Sequence, residues 1–197
     1  MPHHEFARGR VVVHDQDYRP FRFLDDRTDR LRSRVVPAGG QGRFVVLHDP
    51  QAGVLACVHA GWRGTVARAC AAAVTAMAGL GATPADIVAG IGPAISADRY
   101  QVGEEVAEAA RDAFGEQAGT VVRPDGTGRF LFDVPAANRL VLRESGLADG
   151  NIHATRYVTG GSPGRAGGDG AFFSDRDARP CGRLALVARL SQGDTTR

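Results

Sequence analysis

A chain of 197 residues with 43% hydrophobic and 23% charged residues is long enough to bury a substantial core and too apolar to remain disordered. Its 24 basic and 22 acidic residues are dispersed and leave a formal charge of +2, so no broad field favours nucleic acid or an anionic membrane. Cys57, Cys70 and Cys181 lie far apart, without the spacing of a disulfide framework or a zinc ribbon; Met1 is followed by no signal-peptide core, and no apolar run nears the ~18 residues of a membrane span. The expectation is a soluble, cytoplasmic, single-domain protein over residues 1–197.

In chain order, Arg10 to His14 is β-branched and bounded by Gly9 and Asp15, which predicts a short strand. Asp17 to Arg34 is dense in Arg and Asp and reads as a surface segment with a weak helix at about Asp26 to Arg32, and Pro37 to Gly42 reads as a turn. Residues 43–48 and 54–59 are two strands around the short loop Asp49-Pro50-Gln51-Ala52-Gly53. A regular hairpin of that kind puts His59 opposite Arg43 and beside Gly42, with facing Cβ atoms about 4.5–5.5 Å apart.

Val66, Cys70, Ala73, Val74, Met77 and Leu80 recur at helical spacing and predict one amphipathic helix from Val66 to Leu80. Thr83-Pro84-Ala85-Asp86 marks a brief turn before a strand from Ile87 to Gly92, and a helix follows from about Gly103 to Phe114 with Glu104 and Glu105 in its first turn. Thr120 to Arg123 and Arg129 to Phe132 form a second hairpin, after which Asp133-Val134-Pro135 starts a helix, with Asp133 or a neighbour as cap, that ends at Gly146. Asn151 to Val158 is a further strand, Gly160 to Gly170 reads as a flexible glycine-dense loop, with a lid beside Phe172-Phe173-Ser174 as the alternative, and Leu184 to Leu190 is a buried central strand. Irregular alternation with two hairpins predicts an α/β fold: a mixed β-sheet flanked by helices, not a doubly wound parallel sheet or an all-β barrel.

His59-Ala60-Gly61-Trp62-Arg63-Gly64 stands out at the change from strand to helix. An imidazole, a guanidinium, the chain's only Trp and two glycines lie together there, where backbone can approach a ligand closely. The plain structural alternative has Trp62 packing, His59 as an interior histidine and Arg63 as a surface charge. Cys57 and Cys70 read as core.

This hexapeptide, with Gly92-Pro93-Ala94-Ile95, Tyr100 to Val106, Phe132 to Leu140, Phe172-Phe173-Ser174-Asp175-Arg176 and Gly182-Arg183, resembles the laccase-domain family over residues 42–190. Members of that family are described as polyphenol oxidases and as zinc-dependent purine nucleoside phosphorylases. The resemblance implies one α/β domain with a shallow metal site of two histidines and a cysteine binding zinc or copper. His59 takes the place of the downstream histidine, whereas the cysteine position falls on Gly42 and the upstream histidine near Ala7; His3, His4, His14 and His48 lack the family spacing. Asp175 replaces a usual aromatic, and Val158-Thr159 a Cys-Thr pair. The chain thus reads as a divergent, N-terminally shortened member with a divergent N-terminal segment over residues 1–41.

A single imidazole cannot hold a catalytic metal, because affinity comes from several ligands acting together. The expectation is therefore no cofactor, with zinc or copper at His59 as the alternative. The leading functional reading is an enzyme of specialised metabolism acting on a small polar molecule, with His59 as acid or base, Arg63 beside it, and Trp62, Ser174 and Arg176 binding substrate. A purine nucleoside phosphorylase or deaminase with a rebuilt zinc site, and a non-catalytic binding or regulatory protein, are the alternatives. The expected partner is a small-molecule substrate, without nucleic acid or membrane, for a monomer or homodimer.

Overall fold

The computed structural model describes residues 44–160, the strands within 10–37 and at 185–186, and the single positions 172, 174, 188 and 190. Its main sheet has the strand order β10-β6-β4-β5-β1-β2. The strands are β1 (Arg10–His14), β2 (Arg22–Leu24), β4 (Phe44–Asp49), β5 (Val54–His59), β6 (Val88–Ile91) and β10 (Ile152–Ala154). β1, β5, β6 and β10 run parallel, whereas β4 and β2 run against them. Four strand C-termini therefore gather at one edge, the edge at which open α/β sheets carry their ligands.

The sheet is mixed and flanked by helices, as the alternating pattern predicts. Every residue of β5 is buried, which explains its unbroken apolar run in the middle of the sheet. Val54, Ala56 and Val58 form a core with Cys70, Ala73, Val74 and Met77 of α2 (Ala69–Ala78) and with Ala137, Val141 and Leu142 of α4 (Val134–Glu144). Small side chains along α2 let it settle closely on the strands beneath. Leu55, Cys57 and His59 alternate with these positions and so occupy the other face.

Several expectations need correction. The hairpin register is shifted by one, so that Phe44, not Arg43, pairs with His59, because Asp49 is still in the ladder opposite Val54. The Asp49 carboxylate accepts the N–H groups of Gln51, Ala52 and Thr83 at 2.8–2.9 Å, so it holds the loop from the strand end and leaves only Pro50 to Gly53 as the connection.

The single helix from Val66 to Leu80 is two: α1 (Trp62–Val66) and α2, separated at Arg68, whose φ of 58° is left-handed. Arg68 reaches the carboxylate of Glu144 on α4, which anchors this strained residue.

Val36–Pro37, expected in or next to a turn, is β3, and it pairs with β11 (Ala185–Leu186) in a separate two-stranded sheet among the described residues. Among the described residues, the part of the apolar run from Leu184 to Leu190 that is paired, Ala185–Leu186, accordingly lies outside the main sheet and is not its central strand. β2 lies in the segment read as irregular, and the expected strand from Asn151 to Val158 contracts to β10, with Val158 making an isolated bridge to Ala94. The weak helix at Asp26 to Arg32 and most of the glycine-dense loop lie outside the described residues.

The remaining hairpin and helices follow the sequence closely. β8 (Val122–Pro124) and β9 (Phe130–Phe132) pair with each other, and β7 (Gln101–Val102) joins β9. α3 (Glu104–Phe114) buries Val106, Ala107, Ala110 and Phe114 on one face. Asp133 caps α4 by accepting the Ala136 N–H at 2.9 Å. No helix among the described residues is long and apolar enough to cross a membrane.

Candidate functional site

β5 ends at His59, and the chain turns through Ala60 and Gly61 directly into α1. At the same level Phe44 pairs with His59, the Gly92 N–H donates to the Phe44 carbonyl at 2.8 Å, and the Thr155 N–H donates to the Ile91 carbonyl at 3.0 Å. The ends of β5, β6 and β10 are thus tied across the start of β4. A Cβ on Gly92 would lie 3.2 Å from the Phe44 carbonyl oxygen, so this close approach of backbone favours glycine.

The corner is set by three successive carbonyls. The His59 carbonyl oxygen would sit 3.1 Å from a Cβ on Gly64, which accounts for the absence of a side chain there. The Ala60 carbonyl accepts the Thr65 hydroxyl at 3.2 Å. The Gly61 carbonyl accepts the Thr65 N–H at 2.8 Å. These contacts hold the exit direction of α1 and, with it, the relative placement of His59, Trp62 and Arg63.

Of the residues expected to form a site, His59, Trp62 and Arg63 share this corner. His59 is buried, 4% exposed, and its ring lies 5.9 Å from that of Phe44 at a tilt of 58°. Trp62 is half-buried against the core, and the exposed Arg63 guanidinium stacks over its indole at 4.4 Å, a cation–π contact that orients the charge without neutralising it. Ser174 is buried in the segment whose Phe172 carbonyl accepts the Gly160 N–H and whose Phe172 ring meets Tyr157. Arg176, like Gly42 and Arg43, lies outside the described residues.

Cys57 stands on the His59 face, two residues back along β5, and is buried. Burial pushes its thiol upward from its ordinary value, so it stays protonated at neutral pH and is not primed as a nucleophile. Cys70, in the core, is pushed up to about 12 by the same cause.

The metal site implied by the family resemblance needs three donors around one point. Gly42 and Ala7 offer none, and among the described residues no three His, Cys, Asp or Glu side chains converge. The residues described do not fit a metal.

Two site residues were not singled out from the sequence. Asn138 and Thr65, both buried, lie beneath the corner, where the Asn138 amide donates to Thr65 Oγ1 and to the Val134 carbonyl, each at 2.9 Å. A signal existed: Asn138 occupies the apolar stripe of its helix, with Val134, Val141 and Leu142, where an amide must find partners.

The family model for multi-copper polyphenol oxidoreductase laccase matches residues 43–191. The chain is 38% identical over 148 residues to a purine nucleoside phosphorylase of Deinococcus radiodurans, covering 74% of this chain and 53% of that protein. It is 46% identical over 115 residues to adenosine deaminase RL5 from an unknown prokaryotic organism, covering 58% and 44%. The crystal structure of YlmD from Geobacillus stearothermophilus superposes with a TM-score of 0.65 at 26% identity, covering 80% of this chain and 57% of that one. The chain spans about half the length of these relatives. From the extent of the family match, the chain belongs to the multi-copper polyphenol oxidoreductase laccase family.

Proposed function

We propose that this chain is an enzyme acting on a small polar molecule of the purine nucleoside class, with His59 transferring the proton and Arg63 receiving an anionic group. The observation that carries the reading is the pairing, on one clamped corner at the C-terminal edge of the parallel strands, of a buried imidazole with an exposed guanidinium. A histidine can take or give a proton near neutral pH, and an arginine offers paired donors to phosphate or carboxylate. The substrate class comes from relatives named as purine nucleoside phosphorylase and adenosine deaminase.

In phosphorolysis the bond between C1′ and the purine breaks, a phosphate oxygen bonds C1′, and the departing purine carries away the electron pair and needs a proton. His59 in its protonated form supplies it, while Arg63 holds the phosphate. Ser174 and Arg176 are assigned to substrate, and Trp62 to the wall beside Arg63. In this reading the protein works without the family's full metal site.

Turnover of inosine with phosphate, and of adenosine to inosine, tests the reading. His59→Ala is expected to lower kcat by about 10²–10⁴-fold, the usual worth of a positioned acid or base, without loss of cooperative unfolding. Arg63→Ala is expected to raise the KM for phosphate. An unchanged rate in His59→Ala removes this residue from the mechanism, and nucleoside binding without turnover assigns a binding role instead.

A further inference from the structure

Beneath the corner runs a buried hydrogen-bond relay with one direction. The Cys70 thiol donates to Asn138 Oδ1 at 3.4 Å; the Asn138 amide donates to Thr65 Oγ1 at 2.9 Å and, more weakly, toward the Ala60 carbonyl at 3.5 Å; the Thr65 hydroxyl donates to the same carbonyl at 3.2 Å. The second amide proton serves the Val134 carbonyl at 2.9 Å. Each donor has an acceptor, and the amide has one workable orientation: reversing it would set its oxygen against the Val134 carbonyl and leave the thiol with no acceptor. In a buried setting such a saturated chain is stiff, since every broken link leaves a desolvated group without its partner.

The relay ends on the peptide that follows His59 by one residue and precedes Trp62. We propose that Asn138 is a positioning residue for the site: through Thr65 it holds the Ala60 carbonyl, so that a side chain on α4 sets the placement of His59 and Arg63. This rests on the reading of His59 and Arg63 as the reacting pair. A core role alone would need only a side chain that fills the volume, and an apolar residue would fill it without desolvating an amide.

The test uses Trp62, the chain's only tryptophan, as a reporter that does not depend on activity. Thr65→Val keeps shape and removes the hydroxyl, Thr65→Ser restores it, and Asn138→Leu keeps bulk without the amide; each folded variant is examined for Trp62 emission, acrylamide quenching, thermal unfolding and nucleoside turnover. Thr65→Val and Asn138→Leu are expected to shift Trp62 emission and increase quenching. They are also expected to lower kcat by about 10²-fold, the scale of an ångström's misplacement, with KM changed less, and Thr65→Ser is expected to recover both signals. A Trp62 signal like the parent's in folded Thr65→Val overturns the proposal, as does an altered Trp62 signal with undiminished kcat. Should Asn138→Leu not fold, the two Thr65 variants decide. Should the parent turn over no nucleoside, the functional reading fails, and the Trp62 signals alone decide whether the relay places the corner.

Discussion

β5 is fastened at both ends, by different chemistry. At its start, Asp49 sits opposite Val54 and spends its carboxylate on three backbone N–H groups, from Gln51, Ala52 and Thr83. At its finish, neutral groups from α1 and α4 fasten the backbone around His59, while the Arg63 guanidinium remains exposed. A charged side chain that is saturated by main-chain donors is part of the scaffold. A corner whose backbone is held by other residues leaves its exposed guanidinium for a task beyond holding the backbone, and that contrast is why the chemistry is assigned to one end of the strand and not the other.

The contrast is open to attack from both ends. Asp49→Ala removes an acceptor from three amides at once and is expected to cost about 3 kcal/mol in denaturant unfolding, while the Trp62 emission of the folded protein stays unchanged. Gly64→Ala drives a methyl against the His59 carbonyl and is expected to cost about 2 kcal/mol by overpacking; here the Trp62 signal should move with the stability, marking the corner end.

Alkaline titration probes the relay. The Cys70 thiol, raised to about 12 from an ordinary 9.0 in the folded chain, keeps its full contribution below pH 9 and loses it as pH rises toward 12, because the unfolded chain gives up this proton first. By pH 10 the loss is expected to reach roughly 1 kcal/mol, and Cys70→Ala should flatten that part of the pH profile. Smallest is Glu144→Gln, which weakens the half-exposed ion pair with Arg68 and should cost about 0.5 kcal/mol, measurable as a slight fall in Tm without a change at Trp62.

Much of this arrangement was legible from residue order. The β4 and β5 hairpin, the corner after His59 and the Asp133 cap are local features with local signals. What failed to show was decided at a distance. The register is shifted by one because Asp49 stays in the ladder opposite Val54, and one of the three amides that its carboxylate holds there, that of Thr83, lies 34 positions on. The break at Arg68 has no glycine or proline to announce it; α1 must leave along the clamped corner and α2 must lie across β5, and the change of course falls on a residue that Glu144 can hold. The run from Leu184 to Leu190 is apolar enough for a central strand, yet its described strand, Ala185–Leu186, pairs with Val36–Pro37, far away in sequence. Asn138 was visible in its motif, but its role depends on Ala60, which lies 78 positions earlier.

That last separation also sets the order in which the molecule can become competent. A chain growing from its N-terminus makes β4 and β5 early, from neighbours that meet at little cost in loop closure. The Ala60 carbonyl must then wait for α4 to be synthesised and docked before its link to Asn138 exists. The hairpin can form while the corner is still loose, so the placement of His59 belongs to the closing stage of folding, and a chain interrupted before residue 138 would carry the hexapeptide with its local Thr65 bonds but without the Asn138 bonds that complete its hold.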